Sequence, residues 1–356
     1  VSGRLKLRRG TVVAERPLTV EVSGERRPAW ADQALLGEMR EGDEVIVNTA
    51  ALDLGLGSGG FDVVHVNLTR GLDGGGAAGE HVMKLNYTSL QHPVEPVELP
   101  HGSTPQAGRN AFSRDDMEKA LRPLSAVLVI PLHGHLAPAA WAVAQAAPGL
   151  RLGYVQSGGG ALPGGFGRDV AELRERGLLC GHVTAAPAYG GEQEAISVAG
   201  GLDAAGRGLG WDAAIVGPGP GIIGSDTGLG HGGMAALDNA HAALALGLPT
   251  LLSPRLSSAD PRQRHNPVSH HTLTVLDLLL ASVQIPVPTG DSAPEALVNA
   301  AADRHKLIEA PADIPGYASA GFPSRTMGRS IAEDPLFFAA ALASGSALGA
   351  TRAGGA

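Results

Sequence analysis

From residue 125 onward, short apolar runs alternate with longer stretches whose apolar positions recur at helical spacing. The runs at 126–130, 152–155, 182–185, 212–216 and 249–252 are apolar at most positions, which suits strands buried on both faces of a parallel sheet. A sixth run falls at 284–287. Helical patterns occupy 136–147, 168–179, 194–206, 233–246 and 273–283. This alternation predicts a doubly wound parallel-sheet α/β domain with right-handed crossovers and helices on both faces. Upstream the rhythm changes. Strand-length runs at 10–13, 18–22, 43–48, 61–68 and 81–90 are separated by Gly, Asp, Asn or Pro, a pattern that predicts a small antiparallel β barrel or sandwich. The expected organisation is a β module over 1–99, a linker with a helix starting at Ser113 over 100–123, and the α/β domain over 124–356.

Open parallel sheets bind ligands beyond the carboxyl ends of their strands, so the strand-to-helix connections are where chemistry is sought. Five qualify, at 131–135, 156–165, 189–192, 217–232 and 253–271, and they hold most of the polar and catalytic-type residues of the domain. The opposite connections, at 147–149, 179–181 and 246–248, hold few. This one-sided distribution is the strongest functional signal in the chain. The catalytic candidates are His133, His135, Glu192, Asp226, His270 and His271, because imidazoles and carboxylates in a sheltered site can move protons near neutral pH. The ligand-binding candidates are Ser157, Gly158, Gly159, Gly219, Gly221 and Gly224, together with Arg255 and Arg262. Bare glycine N–H groups suit an anion, and guanidinium groups grip carboxylate or phosphate by paired hydrogen bonds. Each has a plainer reading: the glycine loops as structural turns, the arginines paired with Asp260 in a solvated loop, and Ser269 and His270 capping a helix.

Several familiar chemistries are excluded or weakened. Gly219 to Gly224 matches GxGxxG, but Pro218, Pro220 and the glycines from 228 to 233 delay the helix that a dinucleotide needs. No GxxxxGK[ST] occurs, and Gln156-Ser157-Gly158 lacks the first glycine of a nucleophile elbow. Loop histidines from separate connections could share a metal, yet no HExxH or related zinc signature is present, so metal and cofactor stay unassigned. A net charge of −8, with no basic run past residue nine, disfavours nucleic acid. The single cysteine, Cys180, lies among apolar residues and reads as an inert thiol. The first residues lack a long apolar core and the apolar stretch at 273–283 is too short to span a bilayer, so the expectation is a soluble, cytoplasmic protein that does not engage membrane. The expected function is binding of a small anionic metabolite at the loop edge, with turnover by loop histidines somewhat favoured. The alternatives are a non-enzymatic scaffold or sensor whose β module binds a protein partner, and a metal-dependent hydrolase. Homo-oligomerisation is left open.

The segments RRGTVV, GDEVIVNTAALDLGLGSGG, GEHVMKLNYTSLQ, GPGPGIIGSDTGLG, RLSSADPRQRHNPVSHHTLTVL and TMGRSIAEDPLFF span nearly the whole chain. Together they resemble an uncharacterised bacterial family, found in actinobacteria and firmicutes, that is known as a domain of unknown function. The resemblance implies no activity, cofactor or catalytic residue.

Overall fold

Alternating side chains decide the layers of the larger unit. The computed structural model describes residues 3–56, 59–72, 74, 82–98, 124–225, 227–290 and 293–351. The chain divides into two units, 1–93 and 94–356. The helix expected from Ser113 lies outside the described residues, as does most of the linker around it.

The first unit is a closed barrel of β1 (Leu7–Glu15), β2 (Leu18–Val22), β3 (Glu25–Trp30), β4 (Glu44–Asn48) and β5 (Asp62–Asn67), ordered β1-β2-β3-β5-β4. All pairings are antiparallel except β3 with β5. Two short helices, α1 (Gln33–Leu36) and α2 (Ala50–Asp53), interrupt it. Period-two burial puts Val12, Val20, Val22, Val45, Val47 and Val64 inside, with Met39. The buried Asp43 carboxylate takes hydrogen bonds from Arg70, Asn67 and the Arg40 N–H. The Arg70 bonds outweigh burial and hold its pKa at about 2. A two-stranded ribbon, β6 (Val82–Lys84) and β7 (His92–Val94), follows in the chain.

The second unit is built on an eight-stranded, wholly parallel sheet. Its strands are β8 (Val127–Val129), β9 (Leu152–Ser157), β10 (Gly181–Ala185), β11 (Gln193–Ala195), β12 (Ala213–Pro218), β13 (Thr250–Leu252), β14 (Gln284–Pro288) and β15 (Lys306–Ala310). The order is β11-β10-β9-β12-β8-β13-β14-β15. Val127, Val129, Ala214 and Val216 face one apolar layer, while Leu128, Ile130, Ala213 and Ile215 face the other. The first layer is covered by α5 (Val198–Arg207), α6 (Ala235–Ala245), α7 (His270–Leu278) and α8 (Glu295–Ala301). The second is covered by α3 (Leu136–Ala146), α4 (Arg168–Glu175), α9 (Ile314–Ser319) and α10 (Pro335–Ala350). Helix α10 is apolar all round because it is enclosed on all sides. A Cβ at Gly345 would overlap the Ala139 carbonyl of α3, so only glycine lets the two helices lie so close.

Two departures from the sequence reading have clear causes. Residues 193–195 form an edge strand, not the first turn of a helix; the helix starts at Val198, where the Ser197 hydroxyl caps the Gly200 N–H. The Glu194 carboxylate is held instead by the Thr184 hydroxyl and the Gly190 N–H. The eighth strand, β15, is an edge strand with Lys306 and Glu309 exposed, which dilutes its apolar pattern.

The topology places a crevice. Strand β8 lies between β12 and β13, and its following helix covers one face while theirs cover the other. Their carboxyl-end loops diverge there, at the switch point where open α/β sheets hold ligands.

Paired strand residues Gly153 and Gly181 make a slot for the Trp211 indole, which a Cβ at either position would overlap. We predict that Gly153→Ala lowers stability by about 1–3 kcal/mol by overpacking. Gly165→Ala, which enters open space, changes it by less than about 0.5 kcal/mol. Urea-unfolding midpoints of the two variants check this.

Candidate functional site

At the switch point, three loops and a hairpin enclose a cavity of about 520 Å³. Leu132, His133 and Gly134 follow β8, residues 220–225 follow β12, and Arg255, Arg262, Arg264 and His265 follow β13. His271 of α7 completes that side. The fourth wall is a hairpin of β16 (Arg325–Thr326) and β17 (Arg329–Ser330), turned through Met327 and Gly328 with positive φ at both. Such a two-residue turn matches the twist of its strands. Four arginines and three histidines line the cavity, with no carboxylate among the described lining residues.

The arginines are organised from behind by Asp260, which is 3% exposed. Its Oδ1 accepts from Arg262 Nε at 2.9 Å and its Oδ2 from Arg262 Nη2 at 2.8 Å. Arg329 Nη2 stands 3.4 Å and Arg255 Nη2 3.6 Å from that same Oδ2. Burial alone would raise the Asp260 pKa; the Arg262 hydrogen bonds and the charges of Arg262 and Arg329 outweigh it and hold the carboxyl well below its ordinary range. Ser257 links this cluster to the end of the chain. Its hydroxyl accepts from the Asp260 N–H and donates to Asp334 Oδ2 at 2.7 Å. Asp334 also accepts from Arg329 Nε and the Ser258 N–H. Asp334 stands at the N-cap of α10 with Pro335 in the first turn, but its carboxylate anchors the loop after β13 and makes no cap bond.

Arg255 carries the electrostatic signature of the site. It is buried, and burial followed by the charge of Arg262 pushes its pKa down to about 10, with Asp260 pulling the other way. Its Nε atom is enclosed without a hydrogen-bond partner, and its Nη1 donates to His271 Nδ1 at 3.2 Å. Among the described residues, five guanidinium groups stand around the cavity, Arg255, Arg262, Arg264, Arg325 and Arg329, against Asp260 and Asp334, which pair with them, and Asp169 behind His133. Positive charge is in excess.

The histidines separate into two groups. His133 is in the cavity wall, with Asp169 3.8 Å from its Nε2, and burial lowers its pKa despite that carboxylate. His135 is not in the wall: it is fully buried under α10, edge-on to Phe337, with Nδ1 2.9 Å from Ser253 Oγ. His231, His265, His270 and His271 cluster where the loops after β12 and β13 meet α7, with neighbouring ring centroids 3.6 to 5.3 Å apart. Burial, followed by neighbouring positive groups, pushes His265 down to about 3 and His271 to about 2. Neutral rings of this kind accept hydrogen bonds or coordinate a cation; they do not neutralise an anion.

The glycine loops serve mainly as close-packed walls. A Cβ at Gly160 would overlap the Gly219 carbonyl, and one at Gly232 the Gly159 carbonyl, so the loops after β9 and β12 touch backbone to backbone. Gly221 and Gly224 reach the cavity, whereas Ser157, Gly158 and Gly159 line a neighbouring pocket, where Ser157 Oγ accepts from Asn239 Nδ2. The 221–225 segment is shared with a further opening on its other side. Glu192 is half-exposed and paired with Arg174 at 2.5 Å, away from the cavity lining. Asp226 lies outside the described residues. The structure thus brings together His133, Gly221, Gly224, Arg255, Arg262 and His271, and leaves His135 and Glu192 apart. Sequence reasoning did not put Arg264, His265, Arg325, Thr326 or Met327 among the site residues. The hairpin residues lie far along the chain, and only Met327-Gly328 as a turn signal hints that they fold back.

The fold and site define an α/β protein with an electropositive cleft at the switch point of a parallel sheet. The chain belongs to a protein family of unknown function (DUF3866), whose family model matches residues 28–345. No curated protein and no solved structure matches it. No helix among the described residues is long and apolar enough to cross a membrane.

Buried neutral histidines set a pH dependence. Burial pushes His135 down to about 3 and His182, stacked on Tyr154, to about 4, from an ordinary 6.5. The unfolded chain therefore binds more protons below pH 6.5, so stability is complete above that value and is lost as pH falls toward 4. We predict a loss of about 2 kcal/mol per ring between pH 7 and 5, read from urea unfolding at each pH. His182→Phe removes its share of that slope, whatever it costs at neutral pH.

Proposed function

We propose that the cleft binds a small metabolite through a phosphate or carboxylate group, with the loop histidines positioned to act on it. The observation that carries this reading is the buried, charged Arg255, whose Nε has no partner and whose charge the neighbouring arginines oppose. An anion in the cavity would relieve the repulsion among the guanidinium groups, and a small turn of the Arg255 side chain would bring its enclosed Nε to an anion oxygen. Arg262, Arg264 and Arg325 stand around the same space and could grip further oxygens. His133 is the histidine best placed for proton transfer, since it lines the cavity and has a carboxylate, Asp169, behind its ring. The cavity itself favours a binding role over that of a scaffold acting through the barrel.

Thermal-shift and calorimetric titration with inorganic phosphate, then with phosphorylated and carboxylated metabolites, test the reading. A ligand present at 100 times its Kd should stabilise the protein by about 2.7 kcal/mol. Arg255→Gln should lose that stabilisation while remaining folded. A wild-type protein indifferent to every anion tried would contradict the proposal.

A further inference from the structure

His231, His270 and His271 each offer one ring nitrogen within 4.8 Å of the others. We propose that these three histidines form a binding site for a divalent late transition-metal cation of the Zn²⁺ class, set against the back of the anion cleft. The site goes beyond the anion reading, and its first test does not depend on it.

Tautomers support the assignment. His231 Nε2 is 2.9 Å from the Gly228 carbonyl, which can only accept, so the hydrogen sits on Nε2 and the lone pair on Nδ1. That Nδ1 is buried without a hydrogen-bond partner in a residue only 7% exposed. An imidazole fixed by a backbone carbonyl through one nitrogen, with the other presented bare, is the usual state of a metal-ligating histidine. His271 presents the same atom: its Nδ1 accepts from Arg255, an obligate donor, so it too bears a lone pair. Both nitrogens converge on Gly233, where a Cβ would stand 3.0 Å from His231 Nδ1 and 3.0 Å from His271 Nδ1. Glycine keeps that approach open. His270 brings the third nitrogen from the first turn of α7, beside His271.

Three neutral nitrogens select zinc, cobalt, nickel or copper over magnesium or calcium. Ligand nitrogens around a tetrahedral Zn²⁺ lie about 3.4 Å apart, given Zn–N bonds of about 2.0–2.1 Å. The site must therefore contract slightly. The rings of His231 and His271, stacked at 3.6 Å and 10°, must splay so that their lone pairs meet. Three neutral ligands leave the full charge of the cation beside Arg255, whose Nη1 already holds His271 Nδ1. Binding of an anion in the cleft would draw Arg255 off that nitrogen and offset the cation's charge. Cation and anion should accordingly strengthen each other's binding, and by the same factor in both directions.

The test is a titration of chelator-stripped full-length protein with cobalt(II) chloride, followed by visible d–d absorption, with and without sulfate. Intense absorption of tetrahedral cobalt, saturating at one equivalent and displaced by zinc, is expected. His231→Gln and His271→Gln should abolish it, and His65→Gln in the barrel should not. Gly233→Ala, which keeps all three ligands, should weaken cobalt binding at least tenfold. Urea midpoints identify any variant that has merely unfolded. Wild-type protein that gives no such absorption in either buffer overturns the site, as does a folded His231→Gln that binds cobalt like wild type. Cobalt binding that sulfate leaves unchanged keeps the metal site and overturns its coupling to the anion cleft.

Discussion

The cleft depends on one buried carboxylate. Asp260 is nearly inaccessible, yet three guanidinium groups, from Arg255, Arg262 and Arg329, surround it. A lone carboxylate in that position would be costly, and so would three unneutralised arginines. Together they fix each other, and through Ser257 and Asp334 they tie the loop after β13 to the start of α10. Asp260 and Asp334, the two carboxylates these arginines meet, cannot neutralise all three. The remaining charge, with that of Arg264 and Arg325, faces the cavity. The same interaction therefore holds the loop in place and leaves the cleft electropositive, although the chain as a whole carries a net charge of −8.

Next to this charged wall stands an uncharged one. Burial pushes the pKa values of His231, His265 and His271 down, and Arg255 connects the two sets by donating to His271. A cleft with arginines on one side and imidazole rings on another is what the proposed binding of an anion rests on. The glycine-rich loop between residues 217 and 233 is best understood as a partition. Its glycines let it press against the loop after β9, and its 221–225 segment forms the cavity wall.

The fold was largely legible in the sequence because the central strands are buried on both faces. Residues 127–129, 152–157, 213–218 and 250–252 are apolar or small at most positions, and nothing competes with that signal. The edge strands were less legible. At β11, Glu194 read as the start of a helix, when it belongs to a strand and Ser197 caps the helix that follows. The site was legible as a place, since strand-to-helix loops of a parallel sheet must meet at one edge. Its membership was not. His133 and His135 are near neighbours in the chain, yet one faces the cavity and the other is sealed against Phe337. His231 meets His270 and His271 only through the packing of α7 beside the loop after β12. Arg325 arrives by way of a hairpin that no local pattern links to the sheet edge.

The central claim is that an anion occupies the cleft between the loops that follow β8, β12 and β13. Amide hydrogen exchange, measured with and without saturating phosphate, locates such binding directly. The account predicts slowed exchange confined to residues 131–135, 220–225, 253–271 and 325–330, with the barrel unchanged. Unaltered exchange at that edge, or protection appearing in the barrel instead, would contradict it.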